Sequence, residues 1–277
     1  MMQSTLAPED PRSFAEVVKE VPPPDEHEHE EDGQSPDGKH SDIPTSVDSV
    51  PVTKERPVYV PDDKSKLGDT GVPRANQAAT RSHPQGTTAN SYNKKHANET
   101  VLQQHCAFFD RDGDGVIWPQ DTFRGFYQLG FGLLLSAFSM WIIHTFFAYP
   151  TQTSWVPDPL FRVHVRNIHR DKHGSDSGAY DNEGRFVPEK FEDFFEKYSS
   201  LPGKDGLTVW DTVRAIVGQR CILDPVGWGA VVFEWLATWI LLRPRDWVIR
   251  KEQVRGVYDG SIFWNLAAER KGVKVHQ

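Results

Sequence analysis

The chain has 277 residues, a formal net charge of −8 and two cysteines, Cys106 and Cys221. That length allows one or two domains, and two cysteines with no CxxC spacing exclude a disulfide scaffold and a thiolate zinc site and suit a reducing compartment. With no basic face and no glycine-rich phosphate loop, nucleic acid is excluded as a partner.

Taken from the start, residues 1–99 hold 18 acidic and 11 basic side chains, nearly the whole net charge. Twelve of the 20 prolines lie within residues 1–84, whereas all nine tryptophans lie at or after Trp118. A stretch so poor in aromatics and rich in charge buries too little apolar surface to offset its ordering entropy. Residues 1–95 are therefore predicted to be a disordered, acidic, proline-rich tail. Its tract "DEHEHEEDG" (Asp25–Gly33) reads as a solvated acidic run rather than a chelating site. The first residues lack the basic-then-apolar order of a secretory signal.

The first predicted helix carries "VLQQHCAFFD", with Val101, Leu102, Phe108 and Phe109 placed around His105 at helical spacing. Those residues alone suggest a core histidine with a satisfied hydrogen bond. A calcium loop follows at once. Asp110, Asp112 and Asp114 alternate, Gly115 takes the sixth place, Val116 offers a backbone carbonyl at the seventh, and Asp121 closes a span of twelve. Alternate carboxylates converge on one centre and the glycine permits the sharp turn, which is the pattern of an EF-hand. Asp121 stands where glutamate is usual, and its shorter arm predicts weaker calcium binding or stronger magnesium competition.

Between Arg124 and Asp158 there is no charged residue, and Leu129–Tyr149 is long enough to span a bilayer. Aromatics crowd its far end, and Pro150, Pro157 and Pro159 break any continuing helix. Because the next segment has to rejoin the calcium loop, both flanks belong on one side. An interfacial or hairpin anchor fits better than a true span.

The stretch "DNEGRFVPEK" (Asp181–Lys190) echoes "DGDGVIWPQD", with Gly184, Phe186 and Pro188 matching Gly115, Ile117 and Pro119. Ala179 and Lys190 occupy its first and twelfth ligand places, so it is predicted to be a degenerate EF-hand that pairs with the first. Phe191, Phe194, Phe195 and Tyr198 give its exit helix a clear apolar stripe. Such a pair brings His105 and His173 to related places facing one cavity. His169 and His173 also have zinc-like spacing, but nothing nearby completes a zinc site. A second apolar run, Gly227–Pro244, carries Glu234 and reads as a core or surface-docking helix, with Arg243, Arg245 and Arg250 placed to meet phospholipid headgroups.

Together "QQHCAFFD", "NIHRDKHGSDSGAYDNEGRF" and "YDGSIFWNLA" resemble the caleosin family, the lipid-droplet peroxygenases of plants and fungi, in its fungal form. The resemblance implies a mainly α fold: an EF-hand pair, an apolar anchor helix and a proline turn behind the tail. Within 96–272 the expected parts are an EF-hand (96–125), the anchor (126–150), the proline turn (151–162), a histidine segment with the degenerate hand (163–200) and a helical C-terminal region (201–272). It implies haem b, whose iron is served by His105 and His173, and calcium held by Asp110, Asp112, Asp114, Val116 and Asp121. The implied reaction passes oxygen from a fatty-acid hydroperoxide to an unsaturated fatty acid at the cytosolic face of lipid droplets or the endoplasmic reticulum. Membrane phospholipids are the expected partner, with self-association allowed. Thr153 and Arg162 replace outer prolines of the family's knot, which makes the droplet-targeting turn less complete than the haem motif. The competing readings are a non-catalytic, calcium-regulated droplet coat protein and a soluble calcium sensor.

Overall fold

A computed structural model describes residues 76–272, all within one compact unit. Of the predicted tail, residues 1–75 lie outside the described residues. The predicted boundary at residue 95 needs correction, because residues 76–95 are packed. Ala78, Ala79 and Thr80 are buried, Thr87 Oγ1 donates to Asp259 at 2.5 Å, and the Tyr92 hydroxyl donates to the Asp259 carbonyl at 2.6 Å. Composition hid this strap, since its order comes from partners about 170 residues away.

The body consists of helices joined by two small antiparallel strand pairs. Helix α1 (Val101–Ala107) starts on a capping box in which Thr100 accepts from the Gln103 amide and Gln103 reaches back. The loop leads to β1 (Val116–Ile117), then α2 (Pro119–Gln128), which begins on proline, and α3 (Gly132–Thr151). The proline turn returns the chain through β2 (Val163–His164) into a 3-10 helix, Val165–Asp171. The same plan then repeats. Helix α4 (Pro188–Tyr198) leads to β3 (Gly206–Thr208) and α5 (Val209–Gly218), while α6 (Pro225–Leu242) leads to β4 (Val248–Arg250) and α7 (Lys251–Tyr258). Helix α8 (Ser261–Arg270) closes the chain against α7.

The strand pairs correct one expectation. β1 pairs with β2, Ile117 opposite Val163, and β3 pairs with β4, Leu207 opposite Ile249. The acidic loop 110–121 is thus partnered by the strand after the proline turn, not by the loop 179–190. That loop closes on itself: Tyr180 bridges Phe186, the Val187 amide donates to the Ala179 carbonyl, and Asp181 is held by Arg185. Among the described residues its backbone reaches outward to α1, where the Leu102 amide donates to the Gly184 carbonyl at 3.0 Å, rather than to β1.

Helix α3 faces inside out. Its protein-facing side is Ser136, Ser139, His144, Ala148 and Thr151, while Leu134, Phe138, Trp141, Phe146 and Tyr149 are exposed. His144 holds it in place, with its ring nitrogens bonded to Thr122 Oγ1 at 2.8 Å and the Phe161 carbonyl at 2.6 Å. The proline turn continues the exposed apolar surface, and Trp155 is 92% exposed. α3 and α6 are both long and apolar enough to cross a membrane. Small inward and bulky outward residues on α3 reverse the arrangement of a water-facing helix.

Candidate functional site

In the acidic loop the sequence places its carboxylates by backbone geometry. Gly113 and Gly115 have positive φ, 71° and 81°, which only glycine adopts without strain. They let the chain turn so that their amides donate to Asp110, at 3.1 and 2.9 Å. The carboxylates of Asp110, Asp112 and Asp114 then lie within 4.8 Å of one another. Partial burial and its two acidic neighbours raise the Asp110 pKa, against the pull of those amide bonds. Three hard oxygen donors crowded together suit a divalent cation such as calcium or magnesium. Asp121 falls outside this group, because its carboxylate accepts from the Trp118 amide at 3.2 Å and caps α2. Val116 lies just beyond, in β1.

His105 sits on α1 five residues before that loop. Its Nδ1–H donates to the Val257 carbonyl at 2.7 Å, and its ring meets Phe263 edge-on at 5.1 Å. The bond fixes the tautomer and leaves Nε2 as the lone-pair nitrogen. Burial lowers its pKa, so the imidazole is held neutral. His173 follows the 3-10 helix and is 15% exposed. Its Nε2–H donates to Glu234 Oε1 at 3.3 Å, and that bond raises its pKa. Its Nδ1 is buried without a hydrogen-bond partner. Both imidazoles thus keep one nitrogen available for a metal, and the donor set fits haem iron.

Helix α1, which carries His105, packs against the 3-10 helix that precedes His173. Glu234 bonds His173 directly, and its charge also reaches His105. Glu234 is the only charged residue in α6, and an ionisable group in an apolar helix is the signal that could have found it. Asp171, at the end of the 3-10 helix, was also missed. Burial, reinforced by the Glu234 charge, pushes its carboxyl up to about 7. Behind these groups Ser177 Oγ and the Tyr258 hydroxyl share a 2.5 Å hydrogen bond, and Tyr180 donates to the Tyr258 carbonyl. The region combines a buried neutral imidazole, a partly buried imidazole paired with the exposed Glu234 carboxylate, and a carboxyl able to titrate near neutrality, as in acid–base sites.

Residues 97–267 match the family model described as "Caleosin related protein". The chain is 39% identical over 237 residues to a protein of Lilium longiflorum named "Peroxygenase", covering 84% of this chain and 97% of that one. It is 38% identical over 172 residues to "Probable peroxygenase 4" of Arabidopsis thaliana, covering 62% and 88%. It is also 32% identical over 155 residues to a "Probable inactive peroxygenase-like protein" of Arabidopsis thaliana, covering 53% and 70%. No solved structure matches.

Proposed function

Since the chain belongs to the caleosin family and is an enzyme of its peroxygenase type, we propose that it is a calcium-dependent haem peroxygenase. It passes one oxygen from a fatty-acid hydroperoxide to the double bond of an unsaturated lipid, giving an alcohol and an epoxide. His105 would hold the haem and His173 would serve it as an acid–base group; the haem when bound supplies the redox chemistry that breaks the peroxide O–O bond. His105, fixed by Val257, offers Nε2 as the ligand nitrogen. His173, paired with Glu234, would take the hydroperoxide's proton and return it to the alkoxide oxygen released when the O–O bond breaks, so that no proton is gained or lost overall. The outward face of α3 rests on the lipid surface of a droplet or the endoplasmic reticulum, from which both substrates come.

The observation that carries the reading is that each imidazole is held through one nitrogen and keeps the other free of hydrogen bonds, His105 through Val257 and His173 through Glu234. The test is to supply the full chain with haem, record the Soret band, and incubate it with a fatty-acid hydroperoxide and oleate. The expected result is a coloured protein forming epoxide and alcohol in equal amounts. A colourless protein that forms neither overturns the reading. The relative named as inactive motivates a second reading, a non-catalytic coat protein, which predicts droplet binding with no haem band.

Calcium, held in the 110–121 loop, fixes the C-terminal end of α1, because the Asp110 amide bonds the Cys106 carbonyl one residue beyond His105. Asp110→Asn is expected to weaken calcium binding about tenfold or more in calorimetry, and Asp121→Glu to strengthen it. The raised Asp110 pKa means that protons compete for the loop, so affinity falls as pH falls. Affinity equal in Asp110→Asn and wild type would rule this loop out.

A further inference from the structure

The exposed faces of α3 and α6 form one surface. Phe138 packs on Phe233 with ring centroids 5.5 Å apart, and α6 adds exposed Val226, Val232 and Leu236. The two helices run antiparallel, since Arg243, at the end of α6, donates from Nη2 to the carbonyl of Gly130, just before α3, at 2.8 Å.

At this end two cations are held together. Arg243 caps α6 with a left-handed φ of 42° and also donates from Nε to the Ile240 carbonyl. The Arg270 guanidinium fills the space that a Cβ at Gly130 would occupy, and Gly130 itself has a φ of +78°. Partial burial and then the Arg243 charge lower the Arg270 pKa, so the pair is close enough to repel. Among the described residues neither guanidinium makes an ion pair with a carboxylate. Beside them lies a shallow recess of about 350 Å³ lined by Trp239, Ile240, Pro244 and Trp247, with Arg243 on its rim.

Two guanidiniums without a carboxylate are complementary to a phosphate. A free phosphate has no use for an apolar recess, whereas a phosphate carrying acyl chains fills both parts. We propose that Arg243 and Arg270 bind the phosphate of an anionic phospholipid, and that α6 lies beside α3 against the lipid surface. This rests on the lipid-surface reading above and adds headgroup selectivity to it.

The test uses the full chain and co-sedimentation with vesicles of phosphatidylcholine alone or phosphatidylcholine with phosphatidic acid. Wild type is expected to prefer the anionic vesicles by about thirtyfold, with the preference fading at high salt. The double variant Arg243→Gln, Arg270→Gln should bind both vesicles equally, at the wild-type level for phosphatidylcholine. Arg243→Lys, Arg270→Lys should keep a large part of the preference, and decides the matter if the glutamine variant unfolds. A glutamine variant that keeps the preference, a lysine variant that has none, or a wild type indifferent to charge overturns the proposal while leaving lipid docking intact. A wild type that binds neither vesicle overturns both.

Discussion

His105→Ala is expected to give folded protein that takes up no haem, whereas His173→Ala takes up haem and loses at least about a hundredfold in turnover. The difference follows from how each ring is held. His105 has its Nδ1 tied to the Val257 carbonyl and its ring seated on Phe263, which leaves one oriented nitrogen and no charge. His173 is bonded to a carboxylate and has a raised pKa, which suits a group that gives up a proton and recovers it. Measuring the Soret band and product formation for both variants separates binding from chemistry. A full haem band in His105→Ala, or unchanged turnover in His173→Ala, would remove these assignments. Thermal unfolding should shift little in His173→Ala, because that ring lies at the edge of the patch.

Gly260→Ala should be among the most destabilising single changes in the chain. Gly260 has a φ of +75°, and a Cβ there would lie 2.6 Å from the Gln104 carbonyl oxygen and 2.9 Å from the His105 Cα. Both neighbours are backbone of α1, so no side chain can swing aside. The left-handed conformation alone costs roughly 1–2 kcal/mol with a Cβ, and the clash brings the total to about 3 kcal/mol or more. For a domain of this size that is a fall in Tm of roughly 6–12 °C. Relief by shifting α1 would move His105, so haem uptake should fall as well. Gly113→Ala is the control: its φ is +71° but nothing lies within 4 Å of its Cβ, so it should show the strain without the clash. Equal Tm losses in the two variants would mean that the α1 contact is not the cause.

Much of the local structure was legible in the residues. The cluster of Asp110, Asp112 and Asp114 could be read because its carboxylates stand at fixed offsets around a glycine turn, and α4 because its aromatic stripe repeats at helical spacing. Thr100 with Gln103, and Pro119 at the start of α2, are likewise signals contained within one turn. The echo at Asp181–Lys190 was a real local likeness. Both loops place a glycine, an apolar residue and a proline ahead of a helix. The error lay in taking shared turn chemistry for mutual pairing.

The sequence by itself marked the aromatic stripe of α4 and the loop that crowds three carboxylates. Each depends on neighbours within a few residues, where spacing fixes geometry. It did not mark every helix end, since Pro150, expected to break the helix, lies inside α3. Only the tertiary structure decided that β1 pairs with Val163–His164, that Glu234 pairs with His173, and that residues 76–95 are ordered. It also decided the facing of α3. A helix apolar on all sides has no periodic signal to say which side meets protein. That was settled by packing, which takes small residues and hydrogen-bonded polar groups such as His144 inward and leaves bulky side chains exposed.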